Sequence, residues 1–222
     1  MDISRYIDHT ILKADTRNSD IVKVCKEAMD NHFYSVCINS CFVPQVKKLL
    51  DGSDVKITSV IGFPLGAMDS AAKAYEAKVA LEHGADEIDM VMNISAMKDE
   101  NYEYVLQDIK QVVDAINGRA LLKVIIETAL LSEDEKVRAC KLSVEAGADF
   151  VKTSTGFSTS GATVEDIKLM RSIVGDKLGV KASGGIRTRE LALQMIEAGA
   201  SRLGTSASVS IVQGVDSKSS GY

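Results

Sequence analysis

Eight times along its 222 residues the chain passes from a short apolar run into a longer stretch with helical periodicity. The runs are YIDHTIL, FYSVCIN, VKITSVIGF, EIDMVMN, ALLKVIIE, DFVKTSTG, LGVKASGG and RLGTSAS. Strand followed by helix followed by strand implies a parallel sheet, because parallel neighbours need a crossover and a helix supplies it. Eight such units, with only two prolines in the whole chain and no low-complexity linker, fit a single closed (β/α)8 TIM barrel of the α/β class better than an open doubly wound sheet. The barrel is expected over residues 1–214, with 215–222 as a flexible C-terminal tail of small polar residues.

The segment after DFVKTSTG shows how the helices are written. Val164, Ile167, Met170 and Val174 fall on one face, Thr163 and Asp166 have the spacing of a capping box, and Gly175 can close the end. An internal repeat supports the unit structure. EHGADEID, EAGADFVK and EAGASRLG begin at Glu82, Glu145 and Glu197, each reading as a helix end with Gly as its C-cap and a strand directly after it. In register, the last residues are Asp89, Lys152 and Gly204, so one structural position holds a carboxylate, a lysine and a glycine in three strands.

The period of two along a strand sets which residues face the barrel axis. In EIDMVMN an apolar face of Ile88, Met90 and Met92 suits the surrounding helices, leaving Asp89, Val91 and Asn93 inward. By the same alternation Val151, Val180, Ala182, Ile7 and Ile11 face out, while Lys152, Lys181, Lys123 and Asp8 face in. The interior then collects three lysines and two aspartates where barrels usually stack Val, Ile and Leu. A self-satisfied ion pair is an adequate account of one inward Lys and Asp, but burying each ion costs several kcal/mol, so apolar residues would fill the space of five such groups more easily. Function is the better account. A desolvated lysine beside another cation loses its proton more readily, and the neutral amine is the nucleophile that forms Schiff bases with carbonyl compounds. Local physics leaves open which of Lys123, Lys152 and Lys181 attacks.

Small residues follow the last three runs. TSTG, SGG and GTSAS place them at the C-terminal face, where barrel enzymes carry their sites and where the loops after strands 7 and 8 bind phosphate. One Gly pair would be a tight turn; three such loops together favour a phosphate cradle. Its expected parts are the backbone amides of Gly156, Gly184, Gly185 and Gly204 and the hydroxyl of Ser206 at a helix N-terminus.

Composition excludes several classes. A net charge of -5 and the lack of a Lys/Arg-rich run argue against nucleic acid as a partner. No segment approaches the ~20 apolar residues that span a bilayer, and the start MDISRYIDHTIL has no basic stretch leading into an apolar one, so a cytoplasmic protein is expected. Cys25, Cys37, Cys41 and Cys140 lack CxxC spacing and read as reduced thiols, and His9, His32 and His83 are too scattered for a metal centre. Cys37 shares a strand face with Ser35 and Asn39 and reads as a small filler; Arg187 reads as an exposed arginine near a helix end.

VKTSTGF, VKASGGIRT, DEIDMVMN and the early IDHTIL, in this order, resemble the deoxyribose-phosphate aldolase family of class I aldolases, and the similarity runs over essentially the whole chain. The resemblance implies reversible cleavage of 2-deoxy-D-ribose 5-phosphate to acetaldehyde and D-glyceraldehyde 3-phosphate, with no metal and no cofactor. It further implies that Lys152 is the Schiff-base residue, that Lys181 lowers its pKa and shares proton transfer, and that Asp89 gives and takes the proton. Asp8 and Lys123 would extend the proton network. Tyr222, at the end of the tail, would return to the barrel mouth as a proton relay, as in similar aldolases. Some bacterial members have a basic residue after TSTG; Phe157 stands there instead, which leaves a phosphate more dependent on backbone amides. The expected partners are a sugar phosphate and aldehydes, and a homo-oligomer is expected. Two alternatives stay in view: another Schiff-base lyase of the same fold, resembling transaldolase, and a non-catalytic sugar-phosphate-binding barrel.

Overall fold

The eight apolar runs form eight strands that pair in chain order and close, β8 lying against β1, into a parallel barrel. The structure is a computed structural model that describes residues 2–215. The strands are β1 (Ile7–Thr10), β2 (Ser35–Asn39), β3 (Lys56–Ile61), β4 (Glu87–Val91), β5 (Leu121–Ile125), β6 (Phe150–Lys152), β7 (Gly179–Ser183) and β8 (Arg202–Thr205). The helices between them are α1 (Asn18–Asp30), α2 (Val43–Leu49), α3 (Ser70–Glu82), a short α4 (Ile94–Lys98), α5 (Tyr102–Ile116), α6 (Glu133–Ala146), α7 (Val164–Val174) and α8 (Arg189–Glu197). After β8 comes α9 (Ser208–Gln213). Among the described residues no helix is long and apolar enough to cross a membrane.

The alternation of faces holds. Ile7, Ile88, Met90, Met92, Val151, Val180 and Ala182 all belong to one apolar layer between the sheet and the helices, and each is 0% exposed. Their partners in sequence, Asp8, Asp89, Lys123 and Lys181, are equally buried but inside the barrel. Burying the outer layer stabilises the fold by roughly 1.5–3 kcal/mol per large side chain, which offsets a polar interior.

Local details depart from the sequence reading where side chains compete for partners. Asn93 caps α4, accepting from the Ala96 amide at 2.9 Å, instead of facing the axis. Thr163 caps α7 through the Asp166 amide, but the Asp166 carboxylate turns to Lys136 at 2.6 Å, so the capping box is half-formed. Of the three repeat glycines only Gly147 is the C-cap itself; at α3 and α8 that position is His83 and Ala198, and Gly84 and Gly199 take the left-handed turn one residue later. His9 is structural: its ring nitrogens lie 2.8 Å from Ser208 Oγ and 2.9 Å from Glu27 Oε2, tying β1 to α1 and α9.

Candidate active site

Asp89, on the inward face of β4, sits at the centre of the interior. Its Oδ1 accepts from Lys123 Nζ at 2.8 Å, and its Oδ2 accepts from both Lys152 and Lys181 at 2.8 Å. Parallel pairing builds this convergence: Asp89 stands opposite Lys123 in the ladder, and Lys152 opposite Lys181. Asp8 joins from β1, accepting from Lys181 and, at 2.8 Å, from Arg202. Glu87, two residues before Asp89, accepts from Lys123 at 2.6 Å and from Arg202 at 3.0 Å. The Arg202 guanidinium is stacked 3.5 Å from the Tyr34 ring centroid and closes the N-terminal end of the barrel.

Gly204 is placed differently from the cradle expected of it. It lies within β8, not in the loop after it, and pairs with Asp8 and Ser183 in the ladder. A Cβ there would fall 3.0 Å from Lys181 Cε, so the missing side chain is the space that the inward lysine occupies. The repeat position that holds a carboxylate, a lysine and a glycine is therefore one packed unit.

The three lysines are not equivalent. Burial drives the Lys152 ammonium below the ordinary lysine range; Asp89 opposes this and the Lys181 charge reinforces it. Burial also works against Lys181, but Asp8 and Asp89 outweigh it and hold that ammonium above the usual range. Lys123 is likewise raised, burial being overcome chiefly by Asp89. Burial disfavours the Asp89 carboxylate too, yet the three lysines keep it well below the usual carboxylate range. Charge balance agrees. The ion-paired network holds three carboxylates, Asp8, Glu87 and Asp89, against Lys123, Lys152, Lys181 and Arg202. Deprotonating Lys152 leaves the two signs equal. Access agrees as well: the Lys152 side chain is 3% exposed and those of Lys123 and Lys181 are closed off. In the β5–β6 ladder Ile125 stands opposite Lys152, so Lys123 lies two residues deeper.

Above Lys152 the loops after β6 and β7 are joined. The Gly161 Cα hydrogens face Gly184, where an added Cβ would fall 2.1 Å from the carbonyl oxygen, and Ala162 donates to the carbonyls of Ser183 and Gly184. Gly156, Gly184 and Gly185 have φ of 86, 81 and 77, and their amides have no protein acceptor among the described residues. Ser206 is exposed but two residues short of α9, which begins at Ser208. Phe157 packs edge-on against Phe63, ring centroids 5.4 Å apart, so an apolar wall stands beside this loop. Cys37 is buried with Sγ 4.0 Å from Asp89 Oδ2, and burial pushes its thiol up. Arg187 is exposed. Tyr222 lies outside the described residues.

The profile of the DeoC/LacD family aldolases matches residues 3–216. This chain belongs to that family. It is 59% identical over 222 residues to deoxyribose-phosphate aldolase of Alkaliphilus oremlandii, covering 100% of both chains. To the Thermococcus kodakarensis deoxyribose-phosphate aldolase it is 59% identical over 216 residues, 96% of each chain. Among solved structures, the tetrameric deoxyribose phosphate aldolase of Aeropyrum pernix superposes with a TM-score of 0.89 at 34% identity, covering 95% of this chain and 89% of that one.

Sequence reasoning about this aldolase missed three site residues. Extending the period of two back from Asp89 gives Glu87, and back from Gly204 gives Arg202. The third, Glu127, stands four residues beyond Lys123 and is buried beneath the loop after β6. Arg202 makes the stability prediction sharpest. Arg202→Met removes one of the two cations on Glu87 and one of the three on Asp8, and is expected to cost about 3–5 kcal/mol in chemical denaturation; a loss under ~1 kcal/mol would show that the network does not need it.

Proposed function

We propose that this aldolase cleaves 2-deoxy-D-ribose 5-phosphate reversibly to acetaldehyde and D-glyceraldehyde 3-phosphate, with Lys152 as the Schiff-base nucleophile. The observation that carries the assignment of Lys152 is that it alone of the three inward lysines is driven toward the neutral amine while its neighbours are held charged. The neutral amine attacks C1 of the open-chain aldehyde. Asp89, ionised at rest and 2.8 Å from Lys152, takes the proton the attacking nitrogen sheds. Lys181, held as an ammonium by Asp8 and Asp89, donates a proton as the carbinolamine hydroxyl leaves as water, and regains it through the same carboxylates. The iminium then accepts the electron pair of the C2–C3 bond as Asp89, ionised again after returning its first proton to Lys181, takes the proton of the C3 hydroxyl. D-Glyceraldehyde 3-phosphate departs, and a two-carbon enamine stays on Lys152. Protonation at C2 and hydrolysis release acetaldehyde and restore the amine. Asp8 and Lys123 serve the network by fixing the charge on Lys181 and Asp89.

The phosphate is assigned to the amides of Gly156, Gly184 and Gly185, with Ser206 nearby; Gly204 leaves the cradle because it lies inside β8. Chelators are expected to leave turnover unchanged, because Asp8, Glu87 and Asp89 are each already paired with a lysine or arginine and the iminium is the electron sink. Loss of activity in EDTA that a divalent cation restores would overturn this. A homo-oligomer and a cytoplasmic location belong to the same reading, supported by the tetrameric relative and by the free thiols at Cys25, Cys37, Cys41 and Cys140. Borohydride reduction in the presence of the substrate separates the rivals: a non-catalytic barrel traps nothing, and a panel of aldehyde donors distinguishes a transaldolase-like lyase.

A further inference from the structure

Just past β5 the backbone turns over at Glu127 with φ 54 and ψ 67, a left-handed conformation that is unfavourable for a residue with a long side chain. The surrounding pairing enforces it: the amide of Ile126 donates to Lys152 at 3.0 Å and that of Thr128 to Thr153 at 2.9 Å, so the two segments stay bonded on both sides of Glu127 while the pairing slips by one residue, and Glu127 is the residue bulged out between them. The side chain is 2% exposed, and among the described residues no lysine or arginine forms an ion pair with it. Burial pushes its carboxyl above the usual range, with the bonds from Thr155 and the charge of Lys152 opposing.

Among the described residues those are its only hydrogen bonds, the Lys152 charge acting on the same carboxylate from farther off, and they form a chain. The Thr155 amide donates to the carboxylate at 3.2 Å, and the Thr155 hydroxyl donates to the same oxygen. The hydroxyl in turn accepts from the Phe157 amide at 3.0 Å. Of three consecutive amides, the first is therefore bonded to Glu127 and the third to the Thr155 hydroxyl that Glu127 holds. The second, Gly156, is left with no protein acceptor among the described residues and lies against Gly184 of the neighbouring loop. A carboxylate is repelled by phosphate and cannot be its ligand, so a buried acid under an anion cradle needs another purpose.

We propose that Glu127 is a positioning residue for the substrate phosphate: it anchors the Thr155–Phe157 turn and thereby presents the Gly156 amide to the anion. This rests on the phosphate assignment made above. Holding the turn in advance spares the substrate the cost of ordering it, and that advantage is confined to substrates that carry the phosphate.

The test compares 2-deoxyribose 5-phosphate with unphosphorylated 2-deoxyribose on the full-length enzyme and its Glu127→Ala, Glu127→Gln and Thr155→Val variants, with thermal melting of each. Glu127→Ala is expected to raise KM for the phosphorylated sugar by about 10–100-fold, the worth of a hydrogen bond to a charged group. The preference for the phosphorylated sugar should fall by the same factor, and inorganic phosphate should weaken as an inhibitor in parallel. Glu127→Gln retains an acceptor for Thr155 and should recover most of that preference. Thr155→Val cuts the chain from the other side and should lose it, which keeps the test open even if the alanine variant fails to fold. Equal losses on both sugars, or losses in kcat with the preference intact, would overturn the role of Glu127. A parent enzyme with no preference for the phosphorylated sugar would overturn the phosphate assignment itself, and this inference with it.

Discussion

Lys152→Met is expected to abolish turnover, by roughly 10⁴-fold or more, and with it all borohydride trapping of substrate, while the barrel keeps nearly its full stability. The chemical half follows from the loss of the amine. The stability half follows from the charge count: without Lys152, three carboxylates still face Lys123, Lys181 and Arg202, so a neutral side chain of similar length leaves every carboxylate paired. Lys152→Arg should be equally inactive, since a guanidinium does not become a neutral nucleophile, but it should also be less stable than Lys152→Met because it holds a permanent fourth cation against three carboxylates. Lys123→Met is the contrasting control. It strips Glu87 and Asp89 of a bonded ammonium and should cost about 3–5 kcal/mol. Peptide mapping after reduction should find the substrate carbons on Lys152. An adduct on Lys123 or Lys181, or a Lys152→Met variant that still traps substrate, would defeat the assignment.

Much of this site was legible because a strand has a period of two. Once Ile88, Met90 and Met92 are assigned to the helix side, Asp89 has to point inward, and the same logic places Lys123, Lys152, Lys181 and Asp8. Closure then brings them together, since inward residues on eight strands have only one interior to share. What the alternation does not carry is depth. Glu87 and Arg202 have the right parity, but their meeting depends on the stagger of β4 and β8 across the barrel, which no single strand encodes. Nor does it carry the difference among the three lysines, which comes from how many carboxylates each one touches. Gly204 illustrates another limit: the repeat puts it in register with Asp89 and Lys152, but only packing shows that its missing side chain makes room for Lys181. Glu127 escaped because its position follows from pairing on both flanks in a conformation that its residue type disfavours.

Lys181→Leu separates the two tasks given to that residue. In the parent enzyme burial and the Lys181 charge both disfavour the Lys152 ammonium, so the neutral fraction grows as pH rises through a value below the usual 10.5 of lysine. Removing Lys181 deletes a cation and leaves Lys152 and Lys123 alone on Asp89; both changes favour the Lys152 ammonium, and its pKa rises. The ascending limb of kcat/KM against pH should therefore move to higher pH, with a loss near neutrality of about 10²–10⁴-fold. The fold should survive, since Asp8 keeps Arg202 at 2.8 Å and Asp89 keeps Lys123 at 2.8 Å. If Lys181 acted through charge alone, activity would return to the parent plateau once the pH exceeded the new pKa. The proposed mechanism also has it donate the proton that lets water leave, and on that mechanism the plateau should stay low even there. Lys181→Arg retains the charge without a readily exchanged proton, so it should restore the position of the limb but not its height. A Lys181→Leu profile that overlays the parent would remove Lys181 from the mechanism, and recovery to the full plateau at high pH would leave it only its electrostatic role.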